Sequence, residues 1–298
     1  MRRSILAITL LLLVPGLLWA EDCCPGLRSS EGEISLGLDR LELAVAEPDA
    51  ARELWQAALG FSLSDWQPRP GGVQDARMLF ADGTSLDLLH CSTALDRRAQ
   101  SIADLSSDGG GTAGVVLTGT ALEHLRFALE AVEEPLEFID HRTSIELSRP
   151  SDPERQPLRF AQYLLPSYDA RSPREHANGA EGIRAVWLES TDPARDLLLL
   201  ELLGGTDAGE RSTPRGVATA VSMQGVEILL HTGQQNRWIG LELQVPSLQQ
   251  AAGAMSLPGI SAESISGGPG SSFCLHPQQT GGIWLQFTET PAPAVGNP

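Results

Sequence analysis

Two opposite charges, Arg40 and Glu42, stand two positions apart in the otherwise aliphatic stretch LDRLELAV (38–45). Strand alternation sends Arg40, Glu42 and Ala44 to one face and Leu41, Leu43 and Val45 to the other. Asp87 holds a similar place in SLDLLH (85–90). A guanidinium beside carboxylates either holds an anionic ligand or closes a structural ion pair. The second half of the chain carries a different set. By the same alternation Trp187 and Glu189, Glu227, Glu242 and Gln244, and Trp284 and Gln286 each take one face of a strand. Two indoles with acidic and amide groups around them suit a cationic or aromatic small molecule; as core they would simply fill the interior.

Other chemistries are excluded or unsupported. The chain contains no lysine, which removes a Schiff base and a phosphate-loop lysine. No histidine pair has the spacing of a zinc-binding helix, and no Gly-x-Ser-x-Gly elbow is present. GGPGSS (267–272) lacks the strand-to-helix context of a phosphate cradle. His124 falls on a helical pattern, His141 in an irregular stretch, His176 in a linker, and His90, His231 and His276 near strand ends. All six read as surface or turn histidines.

The elements that position these residues repeat. A strand at 38–45 is followed by EPDAARELWQAALG, where Ala51, Leu54, Trp55 and Ala58 recur at helical spacing and Gly60 supplies the stop. Strands at FSLSDWQ, DARMLFADG and TSLDLLH follow, with Asp82-Gly83 as a hairpin turn. The order strand, helix, strand, strand, strand returns from GIRAVWLES and from RWIGLELQV, and less cleanly from TAGVVLTGT, where a fourth strand is hard to place. The expected class is therefore α+β, with four βαβββ modules paired into domains at 36–166 and 182–290. The stretch 167–181 is read as a linker, 291–298 as a loose tail, and DRRAQSIADLSSDGGG (96–111) as a polar loop.

Residues 1–20 combine two arginines, an apolar run and a closing small residue, the layout of a signal peptide cleaved after Ala20, with 21–35 as an N-terminal segment. Export to the periplasm or outside the cell is expected, without stable membrane insertion after cleavage. Loss of Arg2 and Arg3 takes the formal net charge from −17 to −19, which disfavours nucleic acid and anionic lipid as partners. Cys23, Cys24, Cys91 and Cys274 allow three pairings; a bridge from Cys23 or Cys24 to Cys91 or Cys274 and a set of free thiols are both open readings.

Three stretches, LDRLELAVAEPDAARELWQAALGF with ADGTSLDLLH, HANGAEGIRAVWLES, and HPQQTGGIWLQFTE, resemble the glyoxalase-like proteins of the vicinal oxygen chelate superfamily, which includes glyoxalase I, the extradiol dioxygenases and the bleomycin-resistance proteins. The resemblance implies that paired modules form two cups, each able to hold a divalent metal through first-strand histidines and a last-strand glutamate. The first-strand positions here are Arg40, Gly114, Ala185 and Gly240, and none is a histidine. The last-strand positions are Asp87, Glu227 and Gln286. One carboxylate per cup does not hold a catalytic transition metal, so no metal and no cofactor is expected.

The sequence therefore predicts an exported, metal-free protein binding a small molecule, with Arg40, Glu42 and Asp87 in the first cup and Trp187, Glu189, Glu227, Glu242, Trp284 and Gln286 in the second. The second cup is the favoured site, and no catalytic residue is assigned. The alternative is a metal-dependent lyase, isomerase or dioxygenase with unusual ligands, such as Asp87 with His90 or Glu227 with His231. A third reading is a partner-binding scaffold whose cups are filled by their own side chains.

Overall fold

Strand β1 (Gly37–Ala44) does what its alternation requires: Leu41 and Leu43 are fully buried against the helical layer, while Arg40 and Glu42 face the other way. This is the computed structural model of the chain, and it describes residues 34–119, 122–131, 137–140, 144–148, 158–163, 175–260 and 270–290. The expected signal peptide, Cys23, Cys24, His141 and the tail lie outside the described residues.

Helix α1 begins at Pro48–Arg52 and continues as a π-helix over Glu53–Ala58, where Gly60 turns the chain with φ 78°. It buries Ala51 and Trp55 against the sheet. After the short β2 (Gln67–Pro68) come β3 (Val73–Leu79) and β4 (Ser85–Cys91), joined at the expected Asp82-Gly83 turn. The Asp82 carboxylate accepts from the Thr84 backbone and hydroxyl, and Gly83 takes φ 88°.

The second module contributes β5 (Gly111–Thr118), the helix Leu122–Ala131, and β6 (Glu137–Asp140), β7 (Ser144–Ser148) and β8 (Leu158–Tyr163). Its fourth strand, which the sequence left unplaced, is β8: it lies parallel to β5 with Val116 opposite Arg159. In each module the last strand runs parallel to the first, and the first strands β1 and β5 meet antiparallel. The resulting eight-stranded sheet has the order β2-β3-β4-β1-β5-β8-β7-β6.

The second sheet repeats the scheme. Its strands are β9 (Gly182–Ser190), β10 (Thr206–Thr213), β11 (Gly216–Met223), β12 (Val226–Thr232), β13 (Arg237–Val245), β14 (Ser272–Leu275) and β15 (Trp284–Glu289). They take the order β10-β11-β12-β9-β13-β15-β14. Helices Pro193–Leu202 and Leu248–Gly253 follow β9 and β13, N-capped by the side chains of Asp192 and Ser247. No helix among the described residues is long and apolar enough to cross a membrane.

The segment read as a polar loop is largely a helix. Here called α2 (Arg97–Ser107), it starts at Asp96, whose side chain accepts from Ala99 N, and stops at Gly109 and Gly110 with φ 96° and 101°. Its buried Ala99 and Ile102 rest on Ala44, Val73, Leu89 and Cys91. It lies across the face of the first sheet that carries Arg40, Glu42 and Asp87. Ala99, Ile102 and Ala103 do recur at helical spacing, but two of the three are alanines among mostly polar residues, and the segment reads as a loop by composition.

The linker is tied in rather than loose over its described part. Asn178 donates to the Leu59 carbonyl and accepts from Ala180 N. The His176 ring accepts from Ser62 N at Nδ1, lies with Nε2 3.2 Å from the Leu79 carbonyl, and packs on Phe61 and Phe80. It is a buried structural histidine, not the surface one expected. Burial lowers its pKa to about 4.

Candidate functional site

In the first cup, β1, β3, β4, β7, β8 and α2 converge on one charge network. Arg77 grips Asp87 with two hydrogen bonds of 2.9 and 2.7 Å. Arg40 Nε donates to Glu42 at 3.2 Å and lies 3.8 Å from Asp87 and, through Nη2, 3.6 Å from Glu146. It also contacts Asp39 and donates to the Tyr163 hydroxyl. Arg98 reaches down from α2 to both Glu42 oxygens at 3.1 and 3.2 Å, and the buried Arg159 contacts Glu42 and donates to Glu146. Burial alone would raise the Glu42 pKa; the guanidiniums of Arg159, Arg98 and Arg40 overcome it and hold the carboxyl well below the usual range. Arg40, Glu42 and Asp87 are thus brought together as expected. They meet under a helix, with their charges met by arginines that the sequence reading had not linked to them.

In the second cup the face of β9, β12, β13 and β15 can be read row by row. Gln286, Glu242, Ala185 and Glu227 lie side by side, as do Trp284, Gly240, Trp187 and Leu229 one level on. Glu189 and His231 face each other at the next level. All six predicted residues therefore share the face, and Gln244 continues it on β13. Arg211, from the edge strand β10, contacts both Glu227 and Glu242. Glu242 also has Arg184 3.6 Å away, and Glu189 is held by Arg215 and Arg237 at 3.1 Å each. Strand β10 was missed because its residues are mostly exposed and polar, with no apolar alternation to mark it.

The indoles of Trp187 and Trp284 lie nearly parallel, 29° apart with centroids at 6.4 Å. They meet over Gly240, where a Cβ would come within 2.7 Å of Trp284 Cβ and carbonyl oxygen and 3.1 Å of Trp187 Cε3. His231 packs beside Trp187 at 5.7 Å, its ring tilted by 48°, and is buried, again unlike the surface residue expected.

Burial, reinforced by Arg215, lowers the His231 pKa to about 4, like that of His176. Both rings titrate near 6.5 when unfolded, so between about pH 4 and 6.5 the unfolded chain binds more protons. Their contribution is complete above about pH 6.5 and is lost as the pH falls toward about 4, by about 2 kcal/mol per ring. Urea midpoints at pH 7 and pH 4.5 check this; a level stability would show that neither ring is held neutral.

The same register tests the metal positions. The antiparallel register pairs Arg40 with Val116 and Glu42 with Gly114, and Ala185 with Glu242 and Trp187 with Gly240, so Arg40 and Gly114, like Ala185 and Gly240, hold equivalent places in their modules. At the last-strand level stand Asp87 opposite Glu42, Arg159 opposite Val116, Leu229 opposite Trp187 and Gln286 opposite Glu242. Glu227 sits one pair away, opposite Ala185, a correction to the sequence-based alignment. The unusual ligand pairs also fail to converge. His90 is three residues from Asp87, on the opposite face, with Nδ1 3.2 Å from the Val45 carbonyl. Glu227 and His231 share a face but stand about 13 Å apart along the strand, with Leu229 between them. No group of three or more His, Cys, Asp or Glu among the described residues could hold a metal ion. The residues present do not fit the superfamily's metal.

Cys91, under α2, and Cys274, beside Gln286, lie on different sheets and are not bonded to each other. Burial pushes the Cys274 thiol up to about 12.

Residues 37–157 match the family model of the Glyoxalase/Bleomycin resistance protein/Dioxygenase superfamily. A hypothetical protein from Staphylococcus aureus aligns with TM-score 0.59 at 10% identity, over 85% of this chain and 99% of its own. A catechol 2,3-dioxygenase aligns with TM-score 0.56 at 17% identity, over 87% and 95%. Homoprotocatechuate 2,3-dioxygenase from Arthrobacter globiformis gives TM-score 0.57 at 17% identity, over 90% and 83%. No curated protein matches the chain. The chain thus shares the fold of these dioxygenases over both sheets, and its residues 37–157 are similar to the glyoxalase, bleomycin-resistance and dioxygenase superfamily.

Proposed function

We propose that this chain is an exported small-molecule-binding protein that works without a transition metal and uses its second cup. The observation that carries the reading is the placement of arginine. Arg40 occupies a ligand position in the first cup, and Arg211 lies between Glu227 and Glu242 in the second. A guanidinium already supplies the positive charge that a divalent ion would bring to such carboxylates.

The two cups are not equivalent as binding sites. The first has an internal occupant in α2, with apolar contacts on the sheet and Arg98 on Glu42. The second gathers two indoles, an amide and a histidine on one buried face. Aromatic surface with a few convergent polar groups is the composition of a small-molecule site. Of the two expected ligand classes, cationic or aromatic, the cationic is disfavoured, because Glu189, Glu227 and Glu242 all have arginine partners. Export rests on the N-terminal twenty residues.

The test is elemental analysis of the secreted protein purified without chelator, with its mass fixing the start at Glu21. The expected result is iron, zinc, nickel and manganese at background. A transition metal near one equivalent per chain that survives dialysis overturns the metal-free reading and restores the chemistry of the dioxygenase neighbours.

A further inference from the structure

Four buried polar atoms on the second cup's face have no hydrogen-bond partner among the described residues: Trp187 Nε1, His231 Nε2, Glu242 Oε1 and Gln286 Oε1. Their residues are 0, 2, 0 and 7% exposed. Leaving such a group unpaired costs about 1–3 kcal/mol, so four of them in one cup mark a place built to receive polar partners.

The chemistry of those partners can be read from what the cup has already satisfied. Glu242 Oε2 is taken by Arg211, which leaves Oε1 as an acceptor; Arg184, at 3.6 Å, is beyond hydrogen-bond reach. Gln286 Nε2 donates to Thr288 Oγ1, which turns its carbonyl oxygen the other way. Glu242 and Gln286 are direct neighbours on parallel strands, about 4.8 Å apart, so two acceptors stand side by side. One level along the face, Trp187 offers a single N–H donor and a ring stacked with Trp284.

Charge narrows the choice. Around Glu189, Glu227 and Glu242 stand Arg184, Arg211, Arg215 and Arg237. A cation would meet an excess of guanidinium, while an anion would meet the two unpaired oxygens. We infer that the second cup takes an uncharged planar ring carrying a primary carboxamide, whose two N–H bonds reach Glu242 and Gln286 and whose carbonyl accepts from Trp187. This rests on the reading of the second cup as the binding site.

Three probes of one shape separate the possibilities: benzamide, the benzamidinium cation and the benzoate anion. They are titrated calorimetrically into the full mature chain at pH 7, with tryptophan emission followed in parallel. Benzamide is expected to bind one per chain, about tenfold or more tighter than either charged analogue. Trp187→Phe keeps a ring but removes the donor, and Gln286→Leu removes an acceptor. Each should weaken benzamide about fivefold, with folding checked by circular dichroism. Equal or tighter binding of benzoate or benzamidinium, lost in Trp187→Phe, overturns the ligand class and leaves the pocket standing. Benzamide binding that neither substitution changes also overturns the assignment, because it places the site elsewhere. If none of the three binds at millimolar concentration, both the class and the reading of the cup fail.

Discussion

Glu42→Leu is expected to lower the stability of the protein by about 3–5 kcal/mol, the range for removing one partner of a buried ion pair. The carboxylate it deletes is shared by Arg40, Arg98 and Arg159. The Arg159 side chain is 6% exposed and the Arg40 side chain 11%, so neither can turn to water when Glu42 is gone, and both then depend on their remaining carboxylates, Glu146 for each and Asp39 and Asp87 for Arg40. Arg98 is the internal control. Its side chain is 49% exposed, and Arg98→Ala should cost less than about 1 kcal/mol through the lost ion pair. The pH dependence has a definite sign, because Glu42 is held below its unfolded value. Its stabilisation is in place above about pH 4.3 and is lost only as the pH falls through the depressed folded value. Urea midpoints of the three proteins at pH 7 decide the matter. If Glu42→Leu is as mild as Arg98→Ala, the network does not hold the first cup together.

The second large effect is expected at Gly240. An added Cβ would meet the backbone oxygen and Cβ of Trp284, both at 2.7 Å, and Trp187 Cε3 at 3.1 Å. Backbone atoms cannot step aside as a flexible side chain can. Gly240→Ala should therefore cost about 3 kcal/mol, the upper end for overpacking, with a red shift in tryptophan emission as the indoles part. Gly240→His would cost more, although histidine is what the superfamily resemblance expects there. In this chain the indoles occupy the space of that ligand, and the metal site cannot be restored one residue at a time. An alanine variant within about 0.5 kcal/mol of the parent would show that the indole packing yields freely, contrary to this account.

Much of the architecture was legible because its signals are local. Leu41 and Leu43 alternate with Arg40 and Glu42, Asp82-Gly83 marks its hairpin, and the recurring strand and helix order shows the modules. Site residues on first and last strands were legible for the same reason, since alternation alone decides their face. Their partners were not. Arg77, Arg98, Arg159 and Arg211 come from a neighbouring strand, a covering helix, another module and a polar edge strand, all joined to the site only by tertiary structure. Nor does a single sequence distinguish a histidine in a turn from one packed between phenylalanines, as His176 is. The one-level shift of Glu227 was hidden because slipping a strand by two residues preserves every inward and outward side chain.

The way the two sheets are joined bears on how such a chain can change. The largest cluster of buried apolar residues spans both halves and includes Leu36 and Leu41 of the first and Leu241 and Phe287 of the second. Asn178 reaches back to Leu59, Asp82 N at the tip of one hairpin donates to the Glu181 carbonyl, and Ile183 N at the entrance to β9 donates to the Thr84 hydroxyl. A shared interior couples the halves, which are expected to unfold together rather than as separable modules. A chain whose repeated modules share one interior has a particular freedom. One cup can harden into ballast for the whole while its twin drifts toward a new ligand, and the ballast keeps the drifting half folded meanwhile.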